Sequence, residues 1–312
     1  MNFLEYLGFL VFNTIRWHVV AALMLTFTSA CAPFAQAGLA YSALRQGTWR
    51  IYFQADLIAP PRAITEATGD GSAPALAPDG QRIAFEGQGG VISVCPLDSS
   101  AACQTMRPPR GTAVRPAWHP VTGELLFVRY LADGTDEDAD ILTTRGGLAS
   151  VNTFIAHTGI QDYPDVSPDG RLLVYTSSQT ISLHRNAVQV VQNLWIMSLE
   201  TGTAQQLTLG SAQDIHPDWS PSGRELAFAS NRTAQFEIWV VNTDGNDLRQ
   251  VTSGSGAKTW PAWSPDGQVI MFTLVQNGRQ SLWLIDADGT NLRPFEPFGP
   301  GLDIELKDAD WR

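Results

Sequence analysis

Arg115, Tyr163, His216, Trp260 and Asp308 are the side chains of this sequence whose types and spacing best suit a binding site. Each stands immediately ahead of a recurring short segment, and Ala73 holds the same place ahead of Pro74. The spacings along this set of six, 42, 48, 53, 44 and 48 residues, are those of a structural repeat. A fold that closes such repeats into a ring gathers the six positions near one mouth of an axial channel. A cation, an anion, an imidazole and two aromatic rings on loops fit a recognition surface. Variable loop positions that have merely drifted read the same way, and both alternatives stand at this level.

Reaction chemistry is sparse by comparison. There is no Gly-x-Ser-x-Gly nucleophile elbow. Gly254-Ser255-Gly256-Ala257-Lys258-Thr259 has the look of a phosphate loop, but the glycine ahead of the lysine is absent and the segment joins two strands. None of the five histidines (His18, His119, His157, His184, His216) has another His or Cys at i+2 or i+4. No catalytic residue, metal or cofactor is therefore expected. The acidic run 133–140 lacks the spacing of a calcium loop and reads as a solvated, self-repelling connection. A net charge of −11 with two lysines excludes nucleic acid as a partner, because phosphate binding needs a basic face.

The elements that position these residues follow from the repeat itself. One column reads Pro74-Ala75-Leu76-Ala77-Pro78-Asp79-Gly80, Pro116-Ala117-Trp118-His119-Pro120, Pro164-Asp165-Val166-Ser167-Pro168-Asp169-Gly170, Pro217-Asp218-Trp219-Ser220-Pro221-Ser222-Gly223 and Pro261-Ala262-Trp263-Ser264-Pro265-Asp266-Gly267, with a last start at Ala309-Asp310-Trp311. Pro-Asp-Gly supplies a tight turn, and short β-rich runs follow it: Ile83-Ala84-Phe85, Leu226-Ala227-Phe228, then Ile238-Trp239-Val240-Val241, an Asp-Gly turn and a closing Leu-Thr or Val-Thr. That is the grammar of a four-stranded propeller blade. Trp118, Trp219, Trp263 and Trp311 share one column and Trp195, Trp239 and Trp283 another, which marks packing between blades; Trp260 belongs to neither.

The last repeat has no room for its remaining strands, and Leu39–Arg45, Ile51–Phe53 and Arg62–Thr65 match the second, third and fourth strands of the other units. The fold expected is all-β: a six-bladed propeller over residues 38–312, closed by N- and C-terminal strands that share one blade, which leaves no exposed sheet edge. Residues 1–37 read as a signal peptide or a membrane or lipid anchor. Thr28-Ser29-Ala30-Cys31 competes as a lipobox, with Cys31 acylated, against Ala35-Gln36-Ala37 as an ordinary cleavage site and against a retained anchor. Outside the cytoplasm Cys95 and Cys103 would oxidise to clamp a hairpin.

The Pro-x-Trp-Ser-Pro-Asp-Gly repeats, followed by Ile/Leu-Ala-Phe, Ile-Trp-Val-Val, the Asp-Gly turn and the closing Leu-Thr, resemble the propeller of TolB-like proteins over nearly all of residues 38–312. The resemblance implies a periplasmic or cell-surface location and a non-catalytic, protein-binding scaffold of the bacterial cell envelope. Its implied partner is an envelope protein of the kind of a peptidoglycan-associated lipoprotein. It also implies a monomer that touches the membrane through its N-terminal segment alone. TolB proper has an extra N-terminal α/β domain for which this sequence shows no counterpart. Similar repeats form the substrate-gating propellers of prolyl-oligopeptidase-like peptidases, so an enzyme or gating module acting on a glycan or peptide at the channel mouth is the second expectation.

Overall fold

Strands of two to eleven residues alternate with Pro-, Asp- and Gly-bearing turns along the chain, and they pair in sets of four. The computed structural model describes residues 38–65, 70–131, 139–144, 150–155, 160–182, 188–302 and 304–312. Residues 1–37, with Cys31 and the expected signal or anchor, lie outside the described residues, as do residues 133–138 of the acidic run.

Among the described residues there are six four-stranded antiparallel sheets. Their innermost strands are Gly71–Leu76, Thr112–Trp118, Gln161–Val166, Asp214–Trp219 and Ala257–Trp263 in blades 1 to 5, and Leu306–Trp311 in the closing blade. Each packs against the next around a ring. In the closing blade Leu306–Trp311 pairs with Leu39–Arg45, setting Leu39 opposite Trp311 and Ala43 opposite Leu306. Arg312 N donates to Gly38 O at 2.9 Å beyond the last of those pairs. This is the six-bladed ring with one shared blade that the repeat predicts.

The reason for the repeat's composition is visible in its turns and ends. Gly80, Gly170 and Gly267 adopt φ of 64°, 73° and 69°, the left-handed turn position that glycine enters without penalty. The outermost strands stop after two to four residues, and in three blades a threonine then takes over the ladder: Thr65, Thr208 and Thr252 accept Ile51 N, Leu194 N and Ile238 N at 3.0, 3.0 and 2.8 Å. The closing Leu/Val-Thr is thus a side-chain substitute for a strand pair.

The apolar surface is buried between neighbouring blades, because both faces of every sheet are covered. Ala75, Ala84, Ile92 and Val94 of blade 1 meet Trp118, Leu125, Phe127 and Leu142 of blade 2. Trp118 is 1% exposed and its Nε1 donates across the seam to Ala75 O at 3.0 Å. Cys95 and Cys103 are joined by a disulfide between the third and fourth strands of blade 1, where Cys95 packs with Ala40, Ile51 and Phe85.

Candidate functional site

Ala73, Arg115, Tyr163, His216, Trp260 and Asp308 share one backbone conformation. Their φ values are 47°, 52°, 52°, 54°, 53° and 50°, the left-handed region that residues other than glycine seldom adopt. Sequence placed them on loops immediately ahead of the repeated segment; the structure sets each within an inner strand, as its third or fourth residue. There every inner strand is bulged, with register shifts at Ser72/Ala75, Val114/Ala117, Asp162/Asp165, Ile215/Asp218 and Thr259/Ala262. In the closing blade the irregularity falls against Ala40/Ser42. A bulge leaves its extra residues outside the ladder, which is why proline, lacking an N–H, recurs at this point. The left-handed residue is re-aimed by the bulge, and all six line one axial cavity of about 90 Å³.

The amide groups released by the bulges find side-chain acceptors. Arg115 N donates to Glu86 Oε1 at 2.8 Å, Tyr163 N to Asp162 Oδ1 at 2.8 Å and Asp308 N to Thr273 Oγ1 at 3.1 Å. The carboxylates so placed also organise the ring's charges. Arg115 Nε lies 2.9 Å from Asp162 Oδ1 as an ion pair, without hydrogen-bond alignment, while Nη2 donates to Tyr163 Oη at 2.9 Å. The guanidinium also sits 4.3 Å from the Tyr163 ring centroid, and Tyr130 Oη donates to Asp162 Oδ2. Across the cavity Lys307 Nζ is 3.1 Å from Asp308 Oδ2.

The other arc is aromatic. Tyr163 stands edge-on to His216, centroids 4.3 Å apart, and His216 is stacked on Trp260 at 4.0 Å. His216 is 8% exposed, and its Nδ1 has no hydrogen-bond partner among the described residues. Burial, and then the Arg115 charge, hold this imidazole well below its ordinary range, so it is neutral. Burial raises the carboxyl groups of Glu86, Asp162 and Asp308 above the usual range.

Below the ring lies a layer that sequence reading missed. Asp165, Asp218 and Asp310, two residues beyond Tyr163, His216 and Asp308, reach across to the next blade: Oδ2 of each accepts Trp219 N, Trp263 N and Leu76 N at 3.1, 2.7 and 2.5 Å. Arg312 binds two of them, Nη2 at 3.4 Å from Asp165 Oδ1 and Nε at 3.2 Å from Asp310 Oδ1. Burial lifts Asp165 to about 6, and burial together with the Asp165 charge raises Asp218 well above the ordinary value. These four residues floor the mouth cavity and also line a second cavity of about 260 Å³ on the opposite side, walled by Trp219, Trp263 and Trp311. The signal was in the repeat column, where Asp165, Asp218 and Asp310 stand against Ala75, Ala117 and Ala262.

The remaining sequence candidates lie elsewhere and serve the scaffold. Within the lysine-bearing glycine segment, Ala257–Trp263 is a strand, and Lys258 Nζ is spent on Glu237 Oε1 at 2.9 Å and Gly254 O at 2.6 Å. Asp140 belongs to a strand and pairs with Arg129. No cluster of three or more His, Cys, Asp or Glu with metal-binding geometry occurs among the described residues.

A six-bladed ring of four-stranded antiparallel sheets, with a bulged inner strand in every blade and a polar axial mouth, defines a β-propeller. The TolB beta propeller domain model matches residues 74–296, and the chain belongs to that family. Its fold is similar to that of the putative TolB from Agrobacterium tumefaciens, with a TM-score of 0.64 at 18% identity over 89% of this chain and 98% of that one. It is likewise similar to TolB from Acinetobacter baumannii, with a TM-score of 0.69 at 18% identity over 89% of this chain and 67% of that one. In sequence, 85 residues are 33% identical to the uncharacterized peptidase YuxL of Bacillus subtilis (strain 168). That match spans 27% of this chain and 12% of the length of that relative.

Proposed function

We propose that this protein is an exported, non-catalytic binding scaffold of the bacterial cell envelope that recognises an envelope protein through the mouth formed by Arg115, Tyr163, His216, Trp260 and Asp308. The observation that carries the reading is the ring of left-handed residues. Six non-glycine residues held at φ between 47° and 54° cost on the order of 1 kcal/mol each. The return on that strain is six side chains of unlike chemistry pointed at one cavity. Membership of the TolB propeller family and the apolar leader in residues 1–37 support the envelope location. A peptidoglycan-associated lipoprotein is the kind of partner the family suggests.

Affinity capture from solubilised envelopes with wild-type protein, Trp260→Ala and Arg115→Ala tests this. Loss of a specific captured protein in both variants, at unchanged thermal midpoints, is the expected result. Equal capture by all three would move the recognition surface away from the mouth. Gating or processing of a glycan or peptide is the second reading, favoured by the likeness of 85 residues to a peptidase. Hydrolysis of peptide or glycan substrates that Trp260→Ala abolishes would establish it instead.

A further inference from the structure

The lining of the mouth cavity is not neutral. Asp165, Asp218, Asp308 and Asp310 face Arg115 and Arg312 across it. The wall behind adds Asp162, which holds Arg115, Lys307, which is held by Asp308, and Glu86, whose partners Arg115 N and Ser72 Oγ are both uncharged. Arg115, Lys307 and Arg312 each lie directly against a carboxylate, whereas Glu86 and Asp218 have no direct ion pair and feel Arg115 and Arg312 only at longer range. A carboxyl that burial holds toward its protonated form ionises when an ammonium enters beside it, so these two groups favour a positive ligand over a neutral or negative one.

Two further observations point to a ligand and to its shape. His216 lines this cavity with its Nδ1 buried and without a partner among the described residues, and the neutral ring, with its proton on Nε2, has Nδ1 as an acceptor for an incoming N–H. Tyr163 and Trp260 flank that imidazole with their rings 5.5 Å apart, and aromatic faces beside a carboxylate are the surroundings in which a cation on an alkyl stem is held. At about 90 Å³ the cavity admits one narrow group and not a folded segment.

Building on the reading of the mouth as the recognition surface, we infer that the group it takes is a single alkylammonium: the side chain of a lysine presented by the partner polypeptide, inserted along the axis between Trp260 and Asp308. The stem lies against Trp260 and Tyr163, and the ammonium reaches the excess carboxylate with His216 as a neutral acceptor. A compact three-donor head suits this space better than a planar guanidinium.

NMR titration of the full chain, following the Trp260 indole and His216 imidazole signals, tests the inference with Nα-acetyl-lysine-N-methylamide against its norleucine and glutamate counterparts. The lysine probe is expected to bind at least about tenfold more tightly than norleucine, and glutamate more weakly still. Asp218→Asn should lower the lysine affinity severalfold and leave norleucine unchanged; Glu86→Gln, which removes the other carboxyl without a direct ion pair, repeats the test if the Asp218 variant fails to fold. Equal binding of lysine and norleucine, tighter binding of glutamate, or a lysine preference untouched by both variants overturns the inference. Because these probes need no partner, the result is separate from the capture experiment. Absent lysine preference with capture still abolished by Trp260→Ala and Arg115→Ala leaves the mouth reading standing and this inference refuted. A lysine preference with undiminished capture supports the ammonium site and refutes the mouth as the partner's surface.

Discussion

The imidazole of His216 and the indole of Trp260, contributed by neighbouring blades, are stacked with their centroids 4.0 Å and their planes 18° apart. Both residues sit in the left-handed region, so the stack depends on two bulges in register around the ring. It covers one face of a buried imidazole while Tyr163 meets it edge-on.

Removing the indole should therefore be read by the histidine. In Trp260→Ala, water reaches His216, and its pKa should rise from well below 6.5 toward that value. The sign follows from the cause, since desolvation disfavours the imidazolium and hydration restores it. NMR titration of the His216 ring protons between pH 4 and 8 checks this. A wild-type His216 that already titrates near 6.5 would contradict the buried, neutral ring.

Asp165 gives a pH dependence of the opposite sense. Its folded pKa of about 6 exceeds the ordinary aspartate value of 3.8, so the group favours folding in acid and that contribution is lost as pH rises through 6. His216, whose pKa is depressed, opposes this in the same window, but it is common to wild type and Asp165→Asn and cancels in their difference. The stability of Asp165→Asn relative to wild type should be greater at pH 7.5 than at pH 4.5 by about 2 kcal/mol, measured by denaturant unfolding. A constant difference across that range would mean that Asp165 ionises normally.

Ring closure rests on Leu306–Trp311 pairing with Leu39–Arg45. Deletion of residues 308–312 removes the pairs of Leu39 with Trp311 and Ala40 with Asp310, the Asp310 contact to Leu76 N and the Arg312 ion pairs, and should cost several kcal/mol and lower the thermal midpoint of the whole ring. Trp311 is only partly buried whereas Trp118 is 1% exposed, so Trp118→Ala should cost about 3–5 kcal/mol and Trp311→Ala less. An unchanged midpoint in the truncated protein would refute closure by this strand.

The disulfide spans eight residues in sequence, and opening so short a loop should cost about 2–3 kcal/mol on the chain-entropy account. Cys103→Ser is the cleaner probe, since Cys95 is 2% exposed and packed in the core. Thiol labelling of the unfolded, unreduced protein should find neither Cys95 nor Cys103. Stoichiometric labelling of both would show that the bond does not form in the cell.

The fold was legible because a propeller is a local code. Pro-Asp-Gly turns, short β-rich runs and a closing threonine recur at blade length, and each acts within a few residues of itself, so one sequence displays the frame in unit after unit. The column of Ala73, Arg115, Tyr163, His216, Trp260 and Asp308 was legible for the same reason: the frame repeats and these side chains do not. Sequence could not show that the column is a ring of bulged, left-handed residues, because five of the six precede proline, a position where α-type backbone is disfavoured, and only the surrounding sheet enforces it. Nor could it show the partners of the site. Glu86 with Arg115, His216 with Trp260 and Arg312 with Asp165 lie on different blades, and their distances are set by how six sheets pack about an axis rather than by spacing along the chain.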